Sequence, residues 1–189
     1  RPCTRFGTIV AGSEEGLGNR RRFTRYEESK MPTTNGIHHI TMICRDMEET
    51  TRFYTELLDI RLVKQTVNFD DPSSKHFYFG DEAGSPGTVL TFFENPEGRP
   101  AQMGVGITHH IALSVKDDAE QMAWKETLEA AGVSVAGPFD RTYFKSIYFN
   151  DPSGIIVEMA TEGPGFAVDE PIEELGSKLI LPDPSKTRG

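Results

Sequence analysis

"GIHHITMICRD", residues 36–46, sets two adjacent histidines at the head of an apolar run, and "ITHHIALSVKD", residues 107–117, nearly repeats it. Superposing the pairs at an offset of 71 residues matches His38 with His109, His39 with His110, Ile40 with Ile111, Asp46 with Asp117, Glu49 with Glu120, Phe53 with Trp124 and Leu57 with Leu128. Agreement of this length at one fixed offset marks a duplicated structural unit.

Each copy opens with a two-residue alternation, the period of a half-buried strand. Ile40, Met42 and Cys44 share the apolar face of the first, with His39, Thr41 and Ile43 opposite. Ile111, Leu113 and Val115 do the same in the second, with His110, Ala112 and Ser114 opposite. The second histidine of each pair thus belongs to the more polar face. Asp46 with Glu49, and Asp117 with Glu120, carry the spacing of a reciprocal helix cap, which predicts helices over 47–58 and 118–131. Met47, Tyr54 and Leu58, then Trp124, Leu128 and Ala131, give each helix an apolar stripe, and Gly132 stops the second. Three strand-like runs follow in each copy: "RLVKQTV", "KHFYFGD" and "GTVLTFF", then "VSVAGPF", "FKSIYFND" and "GIIVEMA". Each copy therefore reads β-α-β-β-β, and the fold class is α+β.

The organisation expected is a disordered leader at 1–35, a first module at 36–93, a linker rich in Gly, Pro and Gln at 94–106, a second module at 107–161, and a tail with one short helix at 162–189. The leader holds Arg20, Arg21 and Arg22 and begins without methionine ahead of Met31; it reads as artefactual or as translated upstream sequence. A formal charge of -9 over 189 residues disfavours nucleic acid and anionic membranes as partners. Two cysteines, Cys3 and Cys44, make neither a disulfide framework nor a cysteine zinc site. A cytoplasmic protein is expected, and the exposed edges of such modules favour a homodimer.

Of the five histidines, only His76 lies outside the matched pairs. Packing two matched strands about a pseudo-twofold axis would bring His39 and His110 toward each other. In "GIIVEMA", Ile155, Val157 and Met159 alternate with Ile156, Glu158 and Ala160, so Glu158 is a lone charge in an apolar strand. A buried carboxylate needs a cation or strong hydrogen bonds; a salt bridge or a water-facing edge strand is the other way to satisfy it. Aligning "PGTVLTFF" with "SGIIVEMA" puts Thr91 at the matching place in the first copy. His39, His110 and Glu158 are then two histidines and one carboxylate, the set that holds Fe(II) by one face and leaves positions open.

These residues resemble the vicinal oxygen chelate superfamily, built of paired βαβββ modules about a metal-containing cleft, and within it the ring-cleaving dioxygenases of hydroquinones and related phenols. The likeness runs over residues 36–182, through "FYTELLDIRLVKQTVNFDDP", "HFYFGDEAGSPGTVLTFF" and "DRTYFKSIYFNDPSGIIVEMATEGPGFAVDE". The resemblance implies Fe(II), with Mn(II) the alternative, on His39, His110 and Glu158. It also implies roles beside the metal for His38, Thr41, His109, Arg141 and Tyr148. Its members of that kind are longer, with further modules between the two seen here.

The activity implied is extradiol-type cleavage of a small aromatic by O2. Tyr148, on one strand face with Ser146, can donate a hydrogen bond to a phenolate; Arg141 offers a fixed positive charge; and Tyr148, His109 and His38 are the candidate acids or bases. His38 and His109 fit only if each stands at a strand end. A packing or hydrogen-bonding role is expected for His76. Two other readings remain open on the same scaffold: a glyoxalase-like isomerase or thiol transferase, for which Thr91 is a poor fourth ligand, and a metal-free module that binds an aromatic compound.

Overall fold

The computed structural model describes residues 33–181, so Cys3, the arginine cluster, Met31 and the last eight residues lie outside the described residues. The chain divides into residues 1–35 and residues 36–189, and the fold is that of the second unit.

Strand β1 (His39–Cys44) turns Ile40, Met42 and Cys44 inward and leaves His39, Thr41 and Ile43 exposed, as its alternation predicts. Asp46 ends it and starts α1 (Met47–Arg52): its Oδ1 accepts the backbone N–H groups of Glu48 and Glu49 at 2.8 and 2.9 Å. The expected helix then changes period. Phe53–Leu57 is π-helical, closed by Leu58 N–H on Phe53 O at 3.2 Å. The threonines supply the reason, since Thr50, Thr51 and Thr55 each return a hydroxyl to the carbonyl four residues back. Such back-bonding competes with the helical ladder. Tyr54, in this widened turn, is fully buried.

Strands β2 (Arg61–Val67), β3 (Lys75–Gly80) and β4 (Val89–Glu94) complete the first sheet in the order β1-β4-β3-β2, with β1 parallel to β4 and the other pairings antiparallel. The second module repeats this with β5 (Ile111–Val115), α2 (Asp118–Ala130), β6 (Ala136–Asp140), β7 (Lys145–Asn150) and β8 (Ile156–Thr161), in the order β5-β8-β7-β6. Asp117 caps α2 by accepting Glu120 N–H, and Glu120 reaches back to Lys116 N–H at 2.6 Å. β6 starts later than the run 133–139, and within it Gly137 and Pro138 interrupt the pairing with β7 between Ala136 and Phe139. Val133 and Val135 still pack on the core. In the tail, two short 3-10 turns, Phe166–Val168 and Ile172–Glu174, replace the one helix expected. No described helix is long and apolar enough to cross a membrane.

One apolar core spans both modules, with Tyr54, Phe79 and Phe92 from the first and Leu128, Ile147, Phe149, Val157 and Met159 from the second. The seam also has polar links. Tyr54 donates its hydroxyl to Asp151 Oδ2 at 3.3 Å, and Arg45 N–H donates to Ser153 Oγ at 3.1 Å.

Burial pushes the Asp151 carboxyl up, outweighing the N–H groups of Ile155 and Ser153 and the Tyr54 hydroxyl. The folded chain therefore holds this proton more tightly than the unfolded chain. The associated stability is fully present below the ordinary value of 3.8 and is lost as pH rises through the raised value. Asp151→Asn keeps an acceptor for the two N–H groups and never ionises. Its urea midpoint should gain on that of the natural chain as pH rises from about 3 to about 7; parallel pH curves would refute this.

Candidate metal centre

β8 lies between β5 and β7, so Glu158 is on an inner strand and not at a water-facing edge. The residue is only 3% exposed, and two partners hold its side chain. Ser146, from β7, donates its hydroxyl to Oε1. His110, immediately before β5, meets Oε2 with Nε2 at 2.8 Å. The partner weighed from sequence is therefore present: the histidine expected beside Glu158 as a ligand meets the carboxylate directly.

His109 stands one residue further from the strand, its Nδ1 2.8 Å from the Nδ1 of His110, with the rings edge to face. An imidazole donating to a carboxylate at Nε2 has, when neutral, a free lone pair at Nδ1. In that form His109 donates to it and fixes the His110 ring. Tyr148 is directly opposite Glu158 in the β7–β8 register, and its ring lies 5.8 Å from that of His110. The Arg141 guanidinium caps the group, 5.3 Å from the Phe139 ring and 5.7 Å from the Tyr148 ring. Five of the expected site residues, His109, His110, Arg141, Tyr148 and Glu158, thus form one cluster.

The other three lie in the first module. His38 precedes β1 and repeats the geometry of His109, with Nδ1 3.0 Å from Nδ1 of His39. Both outer histidines therefore stand at strand ends. Thr41, one alternation on from His39, accepts a hydrogen bond from Thr91 at 3.0 Å. The register places Thr91 opposite Thr41 as it places Glu158 opposite Ala112, so Thr91 does occupy the position of the carboxylate. Beside it are His76 and Tyr78, in the places of Ser146 and Tyr148. Burial first, and the neighbouring His39 second, hold the His76 ring below the usual imidazole value.

The donor set fits a divalent metal, since imidazole nitrogen and a buried carboxylate are ordinary ligands of Fe(II) and Mn(II). Two of the three expected ligands, His110 and Glu158, touch. His39 is turned to His38, and among the described residues no three His, Cys, Asp or Glu side chains converge on one metal position. A cavity of about 540 Å³ lies elsewhere, lined by Lys116, Asp118, Asp140 and Lys145 near the start of α2. Ser146 and Tyr78 are the residues that sequence reasoning did not assign. The signal for Ser146 was its alternation with Tyr148 on the strand facing Glu158.

The family model described as "Glyoxalase/Bleomycin resistance protein/Dioxygenase superfamily" matches residues 36–159. The chain belongs to this superfamily. Its two βαβββ sheets are the vicinal oxygen chelate fold. Over 135 residues the superfamily chain is 42% identical to "Putative ring-cleaving dioxygenase MhqE" of Bacillus subtilis (strain 168), covering 69% of this chain and 43% of that protein. It is 30% identical over 147 residues to the chlorohydroquinone/hydroquinone 1,2-dioxygenase of Sphingobium indicum, covering 76% of this chain and 43% of that one. The chain spans less than half the length of these two curated relatives. Among solved superfamily folds, a mutant of the fosfomycin resistance protein FosX from Listeria monocytogenes, in complex with Mn(II) and a dihydroxypropylphosphonic acid, superposes with a TM-score of 0.53 at 22% identity. That likeness, over 68% of this chain and 93% of that one, is one of fold.

Proposed function

We propose that this chain is a metal-dependent ring-cleaving dioxygenase that uses O2 on a hydroquinone- or catechol-type aromatic, with Fe(II) as the metal and Mn(II) as the alternative. The observation that carries the reading is the buried Glu158, joined to His110 and Ser146, with Tyr148 opposite it in the sheet and Arg141 against the Tyr148 ring. The relatives named as ring-cleaving dioxygenases support it.

His110 and Glu158 would hold the metal, with His39 as the third ligand. When bound, Fe(II) supplies Lewis acidity toward a phenol oxygen and a route for electrons from the ring to O2. The chain's own groups do the rest. Tyr148 donates its hydroxyl to the anionic oxygen of the substrate and is the first candidate to move a proton there. Arg141 supplies a fixed positive charge that offsets negative charge growing on oxygen. His109 and His38 hold the rings of His110 and His39 and follow Tyr148 as proton carriers. A homodimer is part of the proposal, because His39 stands apart from the His110–Glu158 pair within one chain and a second copy could bring its own. Sedimentation equilibrium reads that state directly.

The test is oxygen uptake by anaerobically prepared protein loaded with Fe(II) or Mn(II) and given hydroquinone, catechol or chlorinated analogues. Uptake in proportion to ring loss is expected. No uptake with any of them at full metal loading would remove the dioxygenase reading. Ligand turnover without oxygen would then favour isomerase or thiol-transferase chemistry, and tight binding without turnover a binding module.

A further inference from the structure

A hydrogen-bonded chain with the buried Thr91 at its centre crosses the first module at the place where the second keeps its carboxylate. The Tyr78 hydroxyl lies 3.1 Å from His76 Nδ1, and His76 Nε2 lies 3.0 Å from Thr91 Oγ1. Thr91 in turn donates to Thr41 Oγ1 at 3.0 Å. Thr91 is 0% exposed, so its hydroxyl has no water to turn to and must be satisfied within this chain.

With the Thr91 hydroxyl donating to Thr41, the hydrogen count sets the remaining links. A threonine hydroxyl has one hydrogen, and Thr91 spends it on Thr41. Thr91 can therefore only accept from His76, which puts the imidazole hydrogen on Nε2. The lone pair at Nδ1 then accepts from the Tyr78 hydroxyl. At the far end the Thr41 oxygen has accepted a bond, and its own hydrogen is free on the exposed face that it shares with His39.

The second module uses the same position in the same way. Register equates His76 with Ser146 and Thr91 with Glu158, and Ser146 holds Glu158 as His76 holds Thr91. In both modules a side chain from the third strand steers the side chain at the centre of the fourth.

We propose that His76 is a positioning residue: as the neutral Nε2–H tautomer it orders Thr91, and through Thr91 makes the Thr41 hydroxyl a donor toward an anionic oxygen bound beside His39. The role toward a bound oxygen rests on the dioxygenase reading; the tautomer does not.

The two parts are tested separately. Long-range proton–nitrogen correlation spectra of the metal-free natural chain, with ring nitrogens labelled, should show His76 protonated at Nε2 and bare at Nδ1. The opposite tautomer would overturn the proposal, and this needs no variant and no activity. In the metal-loaded protein with hydroquinone, His76→Phe, Thr91→Val and Thr41→Val should each lower kcat/KM by about tenfold, the loss expected for one hydrogen bond to a charged group. The double variant His76→Phe with Thr41→Val should be no worse than either alone. His76→Gln, which keeps an N–H toward Thr91, should restore most of the activity. A packing role predicts the reverse order, because the His76 ring lies 4.1 Å from Phe93 and 4.3 Å from Tyr78 and phenylalanine keeps both contacts. Phenylalanine as good as histidine, or additive losses in the double variant, would overturn it.

Discussion

Glu158→Gln is expected to weaken metal binding by more than the roughly 10- to 100-fold that follows loss of an outer partner of a metal ligand, and to abolish oxygen uptake at ordinary metal concentrations. The replacement removes the one carboxylate of the set while keeping the shape of the side chain. Glutamine's carbonyl still accepts the Ser146 hydroxyl, and its amide can donate to His110 Nε2 once His110 and His109 exchange tautomers, so the buried position keeps its hydrogen bonds. The chain should therefore stay folded, and the loss should be read as lost metal affinity. Titration of the apo-protein with Fe(II) and Mn(II), beside a thermal melt, checks both halves. Unchanged metal content would mean that the pair is an internal salt bridge and nothing more.

Gly137→Ala is expected to be among the most destabilising substitutions in the second module. Gly137 has φ of +104°, which side-chain-bearing residues rarely adopt, and an added Cβ would sit 2.6 Å from the backbone oxygen of Ser146 and 3.3 Å from Cα of Ile147. Backbone strain of about 1–3 kcal/mol adds to an overpacking cost of about the same size. The atom displaced is backbone and cannot swing aside as a side-chain tip could. Urea unfolding should show the loss. Metal affinity should fall with it, because Ser146 is the residue that steadies Glu158. A variant as stable as the natural chain would mean that β6 shifts freely against β7.

Much of this was legible in the residues. The repeat gave both modules, and period-two alternation gave the faces of β1 and β5 and the matching of Thr91 with Glu158, since both are local properties. Hydrogen-bond competition by Thr50, Thr51 and Thr55 was not visible to an apolar-stripe argument, and it altered the second half of the first helix. Nor could a strand pattern tell that Gly137 and Pro138 would interrupt β6, or that Val133 and Val135 would stay on the core outside the strand. At the site, the His110–Glu158 contact follows from neighbouring strands in one sheet. The place of His39 depends on how the two sheets are set against each other, and no local pattern encodes that. Ser146 and Tyr78 were missed because serine and tyrosine on a strand are common and announce themselves only through their neighbours.

The placement of Thr91 and Glu158 at one shared register bears on how such a chain can change. Two copies of one scaffold hold different chemistry, and the difference is confined to a few side chains on one face: Thr91 for Glu158, His76 for Ser146, Thr41 for Ala112. The backbones need not diverge for the roles to diverge. Duplication therefore leaves the Thr91 position free to vary while the matching position keeps its carboxylate, and the two copies of one site become separately adjustable.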